Sequence, residues 1–333
     1  MRIGLTYDLK AEDNGAGLPD DFQEEFDSPA TIEAIASVLR RLGHEVSLLG
    51  DGRELLERLL ARPPELVFNI AEGHGVSRSR EARVPAVLEM LGIPYTGSDP
   101  LTLAATLDKD CAKRLAASAG VTIPQGFVLD PRSSILDLRS SILDLPFPVI
   151  VKPAWEGSSK GIRNKCLVAS PAELEEVARS LRRDHPQPIL VEEFIDGDEL
   201  TVGLVGNDPP EIIGVMRVLP NETDRPFVYS LEVKRDFRRL VRYECPAQLP
   251  REVSAAVERA ALAVWRVLGC RDVSRIDFRL RGGVPYFLEV NPLPGLNPES
   301  SDLVILAELR GWSHAQLIER ILAAALNRTK EER

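Results

Sequence analysis

No stretch of this sequence is apolar for long enough to span a bilayer, which takes about 20 residues as a helix. Two common phosphate-binding signatures are also missing. No G-x-G-x-x-G follows the first strand-like segment, and no G-x-x-x-x-G-K-[ST] occurs anywhere, so a bound nucleotide would need other machinery. The four cysteines, Cys111, Cys166, Cys245 and Cys270, are scattered without a C-x-x-C, and the four histidines do not cluster with them. That argues against a zinc site or a disulfide framework and leaves reduced thiols as the expectation. Positive charge is in deficit: 41 Lys and Arg stand against 51 Asp and Glu, for a net charge of -10. A general nucleic-acid binder is therefore disfavoured, because affinity for phosphate backbones comes from clustered basic residues.

What remains is an ordinary soluble composition, 44% hydrophobic and 28% charged, in 333 residues, enough for two or three domains. The opening MRIGLTYDLK runs directly into a strand without a signal-peptide pattern, so a cytoplasmic location is expected. Residues 2–7, 45–49 and 65–70 read as strands. Helical patterns lie between and after them, beginning at Ser28-Pro29, near 52–61 and near 80–91. Such alternation implies a parallel sheet covered on both faces. A helix bearing Cys111, Ala112, Leu115, Ala116 and Ala119 follows, stopped by Gly120. Residues 132–145 are a perfect tandem repeat, RSSILDL twice, which would lengthen a surface helix by two turns and carries no chemistry. From Pro188 the chain is strand-rich, and 221–245 is a long polar segment rich in Lys and Arg, of a length typical of lids, binding loops or disordered segments.

Three places have chemistry-bearing side chains. The first is RIDFRLRGGVPYFLEVNPLPGLN (275–297), two strands joined at Gly282-Gly283, with Asp277 in one and Glu289 and Asn291 in the other. These polar residues either line a solvated strand face or form a hard-oxygen ligand set suited to Mg2+. A two-residue turn would set Asp277 against Leu288 and leave Glu289 on the opposite face. A three-residue loop, Arg281-Gly282-Gly283, would set Asp277 against Phe287 and Arg275 against Glu289, bringing the polar groups to one side. A shared metal site thus requires an odd loop or a bulge, and a clean two-residue turn would argue against it. The second place is Glu156-Gly157-Ser158-Ser159-Lys160-Gly161, either a plain hairpin or an anion nest, with Lys152 on the preceding strand in reach of the same phosphates. The third is Glu192-Glu193-Phe194-Ile195 with Glu199. It is either an exposed strand end or a site where backbone groups at 193–195 read an adenine edge and Glu199 accepts from ribose hydroxyls.

In combination these segments resemble the ATP-grasp ligases, and within them the D-alanine-D-alanine ligase family. GIPYTGSDPLTLAATLDK, FPVIVKPAWEGSSKGI, ILVEEFIDGDELTVGL, YSLEVK, RIDFRL and FLEVNPLPGLNPESS fall in family order. The resemblance implies an ATP-grasp fold, α/β and α+β, with an N-terminal Rossmann-like parallel-sheet domain. The expected units are a substrate domain at 1–98, a central ATP-grasp subdomain at 99–190, and a C-terminal subdomain at 191–333 with the metal and catalytic residues. It further implies an ATP-dependent ligase that joins two small amino-acid-like substrates through an acyl phosphate, in the manner of peptidoglycan synthesis, in a homodimer without nucleic-acid or membrane partners. By matching motif, Lys109 and Lys152 would hold the ATP phosphates under the loop bearing Ser158 and Ser159. Glu192, Glu193, Phe194 and Ile195 would line the adenine site, with Glu199 on the ribose. Lys234 would reach the terminal phosphate, and Asp277, Glu289 and Asn291 would bind two Mg2+, or Mn2+ in their place. Arg275 and the Gly295 N–H would stabilise the oxyanion, and Ser300 would bind the second substrate's carboxylate.

The substrate half departs from the family. No Gly-rich N-terminal motif is found, leaving Glu12, Glu25 or Asp27 as candidates to grip the first substrate's amine. Arg235 replaces the family's tyrosine after Lys234, and either binds a further substrate carboxylate or points into solvent. His74, in a segment that also differs, is either a substrate contact or a lone exposed histidine. A kinase-like ATP-grasp reaction and a nucleotide-binding protein without turnover are the competing functional classes.

Overall fold

The computed structural model describes residues 1–11, 17–130, 145–222 and 226–331. Apart from Leu145 the RSSILDL repeat falls outside them, as does Glu12. The chain opens with β1 (Arg2–Thr6), α1 (Pro29–Arg41), β2 (Glu45–Leu48), α2 (Gly52–Ala61), β3 (Leu66–Asn69) and α3 (Arg83–Met90). Its strands form a parallel sheet in the order β2-β1-β3, as the alternating pattern requires. Ser28 caps α1 by accepting from the Thr31 N–H at 3.1 Å, with Pro29 at the first helical position. The apolar stripe Ile32, Ile35, Ala36 and Leu39 is buried against Ile3 and Leu5.

Next come α4 (Pro100–Leu107), α5 (Lys109–Ser118), β4 (Gly126–Leu129), β5 (Val149–Pro153), β6 (Leu167–Val168), α6 (Pro171–Asp184) and β7 (Ile189–Glu193). The four strands form a second sheet, β4-β7-β5-β6, with Leu174, Ala178 and Leu181 of α6 packed on it. The expected boundary at 190 falls inside β7, which pairs with β4 and β5 along its length.

The remainder is β8 (Asp198–Gly206), β9 (Glu211–Pro220), α7 (Leu231–Arg235), α8 (Phe237–Leu240), β10 (Val241–Glu244), α9 (Arg251–Leu268), β11 (Asp272–Arg281), β12 (Val284–Asn291), α10 (Asp302–Leu309) and α11 (His314–Glu331). A five-stranded antiparallel sheet runs β10-β9-β8-β11-β12. One face packs on α9 and α5, where Phe278 and Phe287 meet edge-on with ring centroids 6.0 Å apart. The other face shares a core with the first sheet, since Val205 and Met216 cluster with Leu5, Ile35, Leu306 and Ile318. Within the segment expected to be a lid, binding loop or disordered, the described residues 226–245 hold regular structure: α7 and α8 lie there, and β10 pairs Val241 with Pro220. Val233 and Val241 pack on Val218 in a small core of their own.

The β11-β12 hairpin differs from expectation in an informative way. Its turn is the two-residue kind, because Arg281 pairs with Val284 and Gly282 and Gly283 both take positive φ, 59° and 79°. Phe278 pairs with Phe287, yet Asp277 pairs with Glu289 and Arg275 with Asn291. Leu288 is thus an extra residue, a bulge that shifts the register by one and turns Glu289 onto the face of Asp277. The expected three-residue loop is absent, and the bulge achieves the same end.

The Phe278-Phe287 pair anchors the hairpin directly below this bulge. Phe287→Ala is expected to cost about 3–5 kcal/mol by urea unfolding, and a loss under 1 kcal/mol would show that the hairpin is anchored elsewhere.

Candidate active site

Asp277 and Glu289 face each other across the bulged ladder, and Arg275 lies between them. Its Nη2 is 2.8 Å from Asp277 Oδ2 and 3.7 Å from Glu289 Oε1, and its Nη1 is 3.3 Å from Asp302 Oδ2. Asp277 also accepts from the Thr201 hydroxyl at 2.9 Å and lies 3.4 Å from the Asn291 amide nitrogen. Glu289 Oε2 pairs with Lys109 Nζ at 3.0 Å. Burial works against the Glu289 charge, but Lys109 and Arg275 outweigh it and hold the carboxyl well below its usual range. Asp277 goes the other way: burial raises it, Arg275 opposes, and the facing Glu289 adds to the rise. Two carboxylates and an amide oxygen on one strand-pair face, with like-charge repulsion between the acids, suit a hard divalent cation.

Beside this platform lies a cavity lined by Lys152, Ser159, Phe194, Ile195, Glu199 and Lys234. The resemblance assigns all six to a nucleotide, and the fold brings all six to this one cavity. Glu192 lies here too, but its carboxylate is locked between two lysines, 2.8 Å from Lys113 Nζ and 2.6 Å from Lys152 Nζ. It positions Lys152 and has little freedom to read a base. Burial pushes the Lys113 ammonium down to about 8 despite Glu192. Lys113 was missed from sequence, although its place one helical turn after Lys109 on the same face was a signal for it. Of the backbone groups expected to read a base edge, Glu193 N–H donates to Gln125 O and Phe194 N–H to Pro148 O. The Glu193 side chain accepts from the Gln125 N–H and pairs with Arg281 at 3.1 Å. Glu199 pairs with Arg279 at 3.0 Å, and burial still raises its carboxyl to about 7. Arg279, two residues beyond Asp277 on the same strand face, also stacks 4.6 Å from the Phe194 ring centroid.

The 156–161 loop is not a free anion nest. Its Gly157 N–H donates to Glu25 Oε1 at 2.5 Å and its Gly161 N–H to Asp21 Oδ2 at 2.9 Å. Ser158 and Ser159 take left-handed φ of 47° and 59°. Glu25 is further held by Arg80 at 2.9 Å and Lys160 at 3.2 Å, while Glu156 pairs with Lys160 at 2.7 Å and accepts from Gln187 at 2.6 Å. Burial opposes the Glu25 charge, yet Arg80 and Lys160 bring its carboxyl down to about 2. Glu25 is thus a staple between the N-terminal segment and the 156–161 loop, and its carboxylate is already engaged.

On the substrate side, Ser158, Lys234, Arg275, Gly295 and Ser300 line one further cavity. Ser300 is exposed and donates its hydroxyl to Asn297 Oδ1 at 3.1 Å. Arg235 and His74 do not line it. The Arg235 guanidinium is bound by Asp20 and Glu24, each at 2.7 Å, and ties α7 to the N-terminal segment. His74 is exposed, 3.0 Å from Asp8, and packs on the edge of Phe26. Three of the acids that line the cavities form no ion pair among the described residues: Asp27, Glu72 and, in the adjoining recess beside Lys109, Glu81. Among them only Asp27 was singled out from sequence.

Several of these acids have raised folded-state values. Burial brings Glu199, Glu81 and Asp27 each to about 7, from ordinary values of 4.5, 4.5 and 3.8. The folded state then holds protons that the unfolded state has released, so the stability these groups give is full below their ordinary values and is lost as pH rises to about 7. Glu25, lowered to about 2, acts oppositely and loses its contribution only as pH falls below 4.5. The melting temperature of the ligand-free protein is therefore expected to fall between pH 5 and 7, with a shallower slope in Glu199→Gln; a rising or flat profile would contradict these environments.

Residues 117–323 match the sequence family described as D-ala D-ala ligase C-terminus. The uncharacterized protein y4sG of Sinorhizobium fredii is 35% identical over 305 residues, covering 89% of this chain and 87% of that protein. The D-alanine–D-alanine ligase of Aquifex aeolicus is 33% identical over 304 residues, covering 88% and 93%. In structure, the D-alanine–D-alanine ligase of Bacillus anthracis complexed with ATP matches with a TM-score of 0.76 at 22% identity over 100% of both chains. The chain therefore belongs to the D-alanine–D-alanine ligase family of ATP-dependent ligases and has its ATP-grasp fold.

Proposed function

We propose that this protein joins the carboxylate of one amino-acid-like substrate to the amine of another, using ATP and passing through an acyl phosphate. The observation that supports it most is the platform formed by Asp277 and Glu289, set where the nucleotide cavity and the substrate cavities meet, with Arg275 and Lys109 beside it. The relatives named as D-alanine–D-alanine ligases favour that pair as the reference substrates. The rewritten substrate side leaves the identity of the acid and amine to be tested.

In this reading ATP lies against Phe194, Ile195 and Glu199, with its phosphates toward Lys152, Lys109 and Lys234. Lys152 is pre-set for this by Glu192, which holds the ammonium in place before ligand arrives. Asp277, Glu289 and Asn291 would hold two Mg2+, whose charge lowers the repulsion between the phosphates and an incoming anion. A substrate carboxylate oxygen attacks the γ-phosphorus, the bond to the β-bridging oxygen breaks, and ADP leaves. The second substrate's amine then adds to the acyl carbon. Arg275 and the Gly295 N–H face the oxyanion that forms, and collapse expels inorganic phosphate. Water would hydrolyse the acyl phosphate, and α7, with Lys234 inward and Arg235 fastened to Asp20 and Glu24, supports a closed cover. The reading extends to a homodimer, which sedimentation would report.

Asp277→Ala and Glu289→Ala are expected to lower kcat by about 1,000-fold or more, since each removes a ligand for transition-state charge worth several kcal/mol, with melting temperatures within a few degrees of the parent. ADP release measured with D- and L-amino acids, singly and in pairs, separates the classes. Amine-dependent phosphate release supports ligation. A stable phosphorylated product with one acceptor supports a kinase, and binding without turnover a nucleotide-binding protein. Full activity in either alanine variant would remove the platform from the chemistry.

A further inference from the structure

The carboxylates on the substrate wall outnumber the cations available to them. Glu72 lies on the connection after β3 and lines both substrate cavities, and Glu81 lines the recess beside Lys109 with 7% of its surface exposed. The two are hydrogen-bond neighbours of each other. Among the described residues neither forms an ion pair. The nearby bases are all engaged elsewhere: Arg80 binds Glu25, Glu156 and Trp155 O, Lys160 binds Glu25 and Glu156, and Lys109 binds Glu289 and Glu156 O. Across the cavity, Arg275 and Lys234 are paired with Asp277 and Asp302. Lys10 is the one further base on this cavity among the described residues, and it is exposed to solvent. Asp27, on the same cavity as Glu72, also has no ion pair among the described residues. A buried carboxyl, Glu81, facing the half-buried one of Glu72 with no base between them is costly unless the two share a proton or a cation bridges them.

An ordinary amino acid brings one ammonium group. With Glu25 engaged on the phosphate loop, Asp27 is the acid left on the cavity to receive it. The Glu72-Glu81 pair is then without a counter-charge, and it sits within the same continuous space, which shares Ser158, Arg275 and Gly295. We propose that the first substrate is a dibasic amino acid, with an amine or guanidinium on its side chain, and that Glu72 and Glu81 are the specificity-determining residues that bind this second cation. The inference rests on the ligase reading for the orientation of the substrate, whose carboxylate must face Arg275 and the platform.

The test compares each dibasic amino acid with a neutral one of equal length: lysine with norleucine and ornithine with norvaline, in both enantiomers, each paired with alanine as acceptor. The expected result is a kcat/KM at least about tenfold higher for the dibasic member, the least that loss of a buried charge pair produces. Glu72→Gln and Glu81→Gln are expected to collapse that ratio toward one while leaving the KM for ATP unchanged. A preference for the neutral member, or a ratio that survives both substitutions, overturns the inference and leaves the ligase reading intact. If no pair supports phosphate release, thermal shifts with a non-hydrolysable ATP analogue provide a second readout. Stabilisation by lysine over norleucine that both Gln variants lose upholds the acidic pocket while the ligase reading fails; equal shifts overturn both.

Discussion

The whole site depends on one extra residue in a strand. Leu288 bulges from β12, and the register beyond it is offset from the register at the turn. Without that offset Asp277 would oppose Leu288, and Glu289 would point away toward α9. With it, two carboxylates, an amide and an arginine share one face, above an aromatic pair that fixes the hairpin from below. The bulge also explains how a regular Gly-Gly turn coexists with an irregular functional end. The turn sets register locally, and the bulge resets it where chemistry needs it.

Around this platform the charges are arranged in pairs and triads before any ligand binds. Glu192 holds Lys113 and Lys152, Glu289 holds Lys109, and Asp302 faces both Arg275 and Lys234. Buried cations set this close would repel one another strongly, and the interleaved acids offset that repulsion and hold them in position. The N-terminal segment joins in the same manner. Asp21 and Glu25 occupy N–H groups of the phosphate loop, and Asp20 and Glu24 hold Arg235 of α7. The loop, the cover and the first domain are thereby linked through four acids that look in sequence like an acidic surface run.

Those four acids mark the limit of what the sequence discloses. Strands, helices and their caps follow from periodicity and from residues such as Ser28, Pro29 and Gly120, which act on their immediate neighbours. The grouping of Lys152, Phe194, Glu199 and Lys234 on one cavity, and of Asp277, Glu289 and Asn291 on one face, was legible because these residues lie in compact motifs. The partners of Arg235 and His74, namely Asp20, Glu24 and Asp8, were not legible because they are far away in the chain, and a local reading cannot show that a side chain is already paired. Glu72 and Glu81 went unread for the converse reason. A carboxylate becomes informative when the fold buries it and leaves it without a base, and neither condition is a property of the local sequence.

The central claim is that this platform makes an acyl phosphate from a substrate carboxylate. Oxygen tracing tests it most directly. A substrate acid labelled with 18O in its carboxylate, turned over with ATP and an amine acceptor, should deliver one labelled oxygen to the inorganic phosphate for each bond formed. Unlabelled phosphate, released with amine-dependent turnover, would contradict the account.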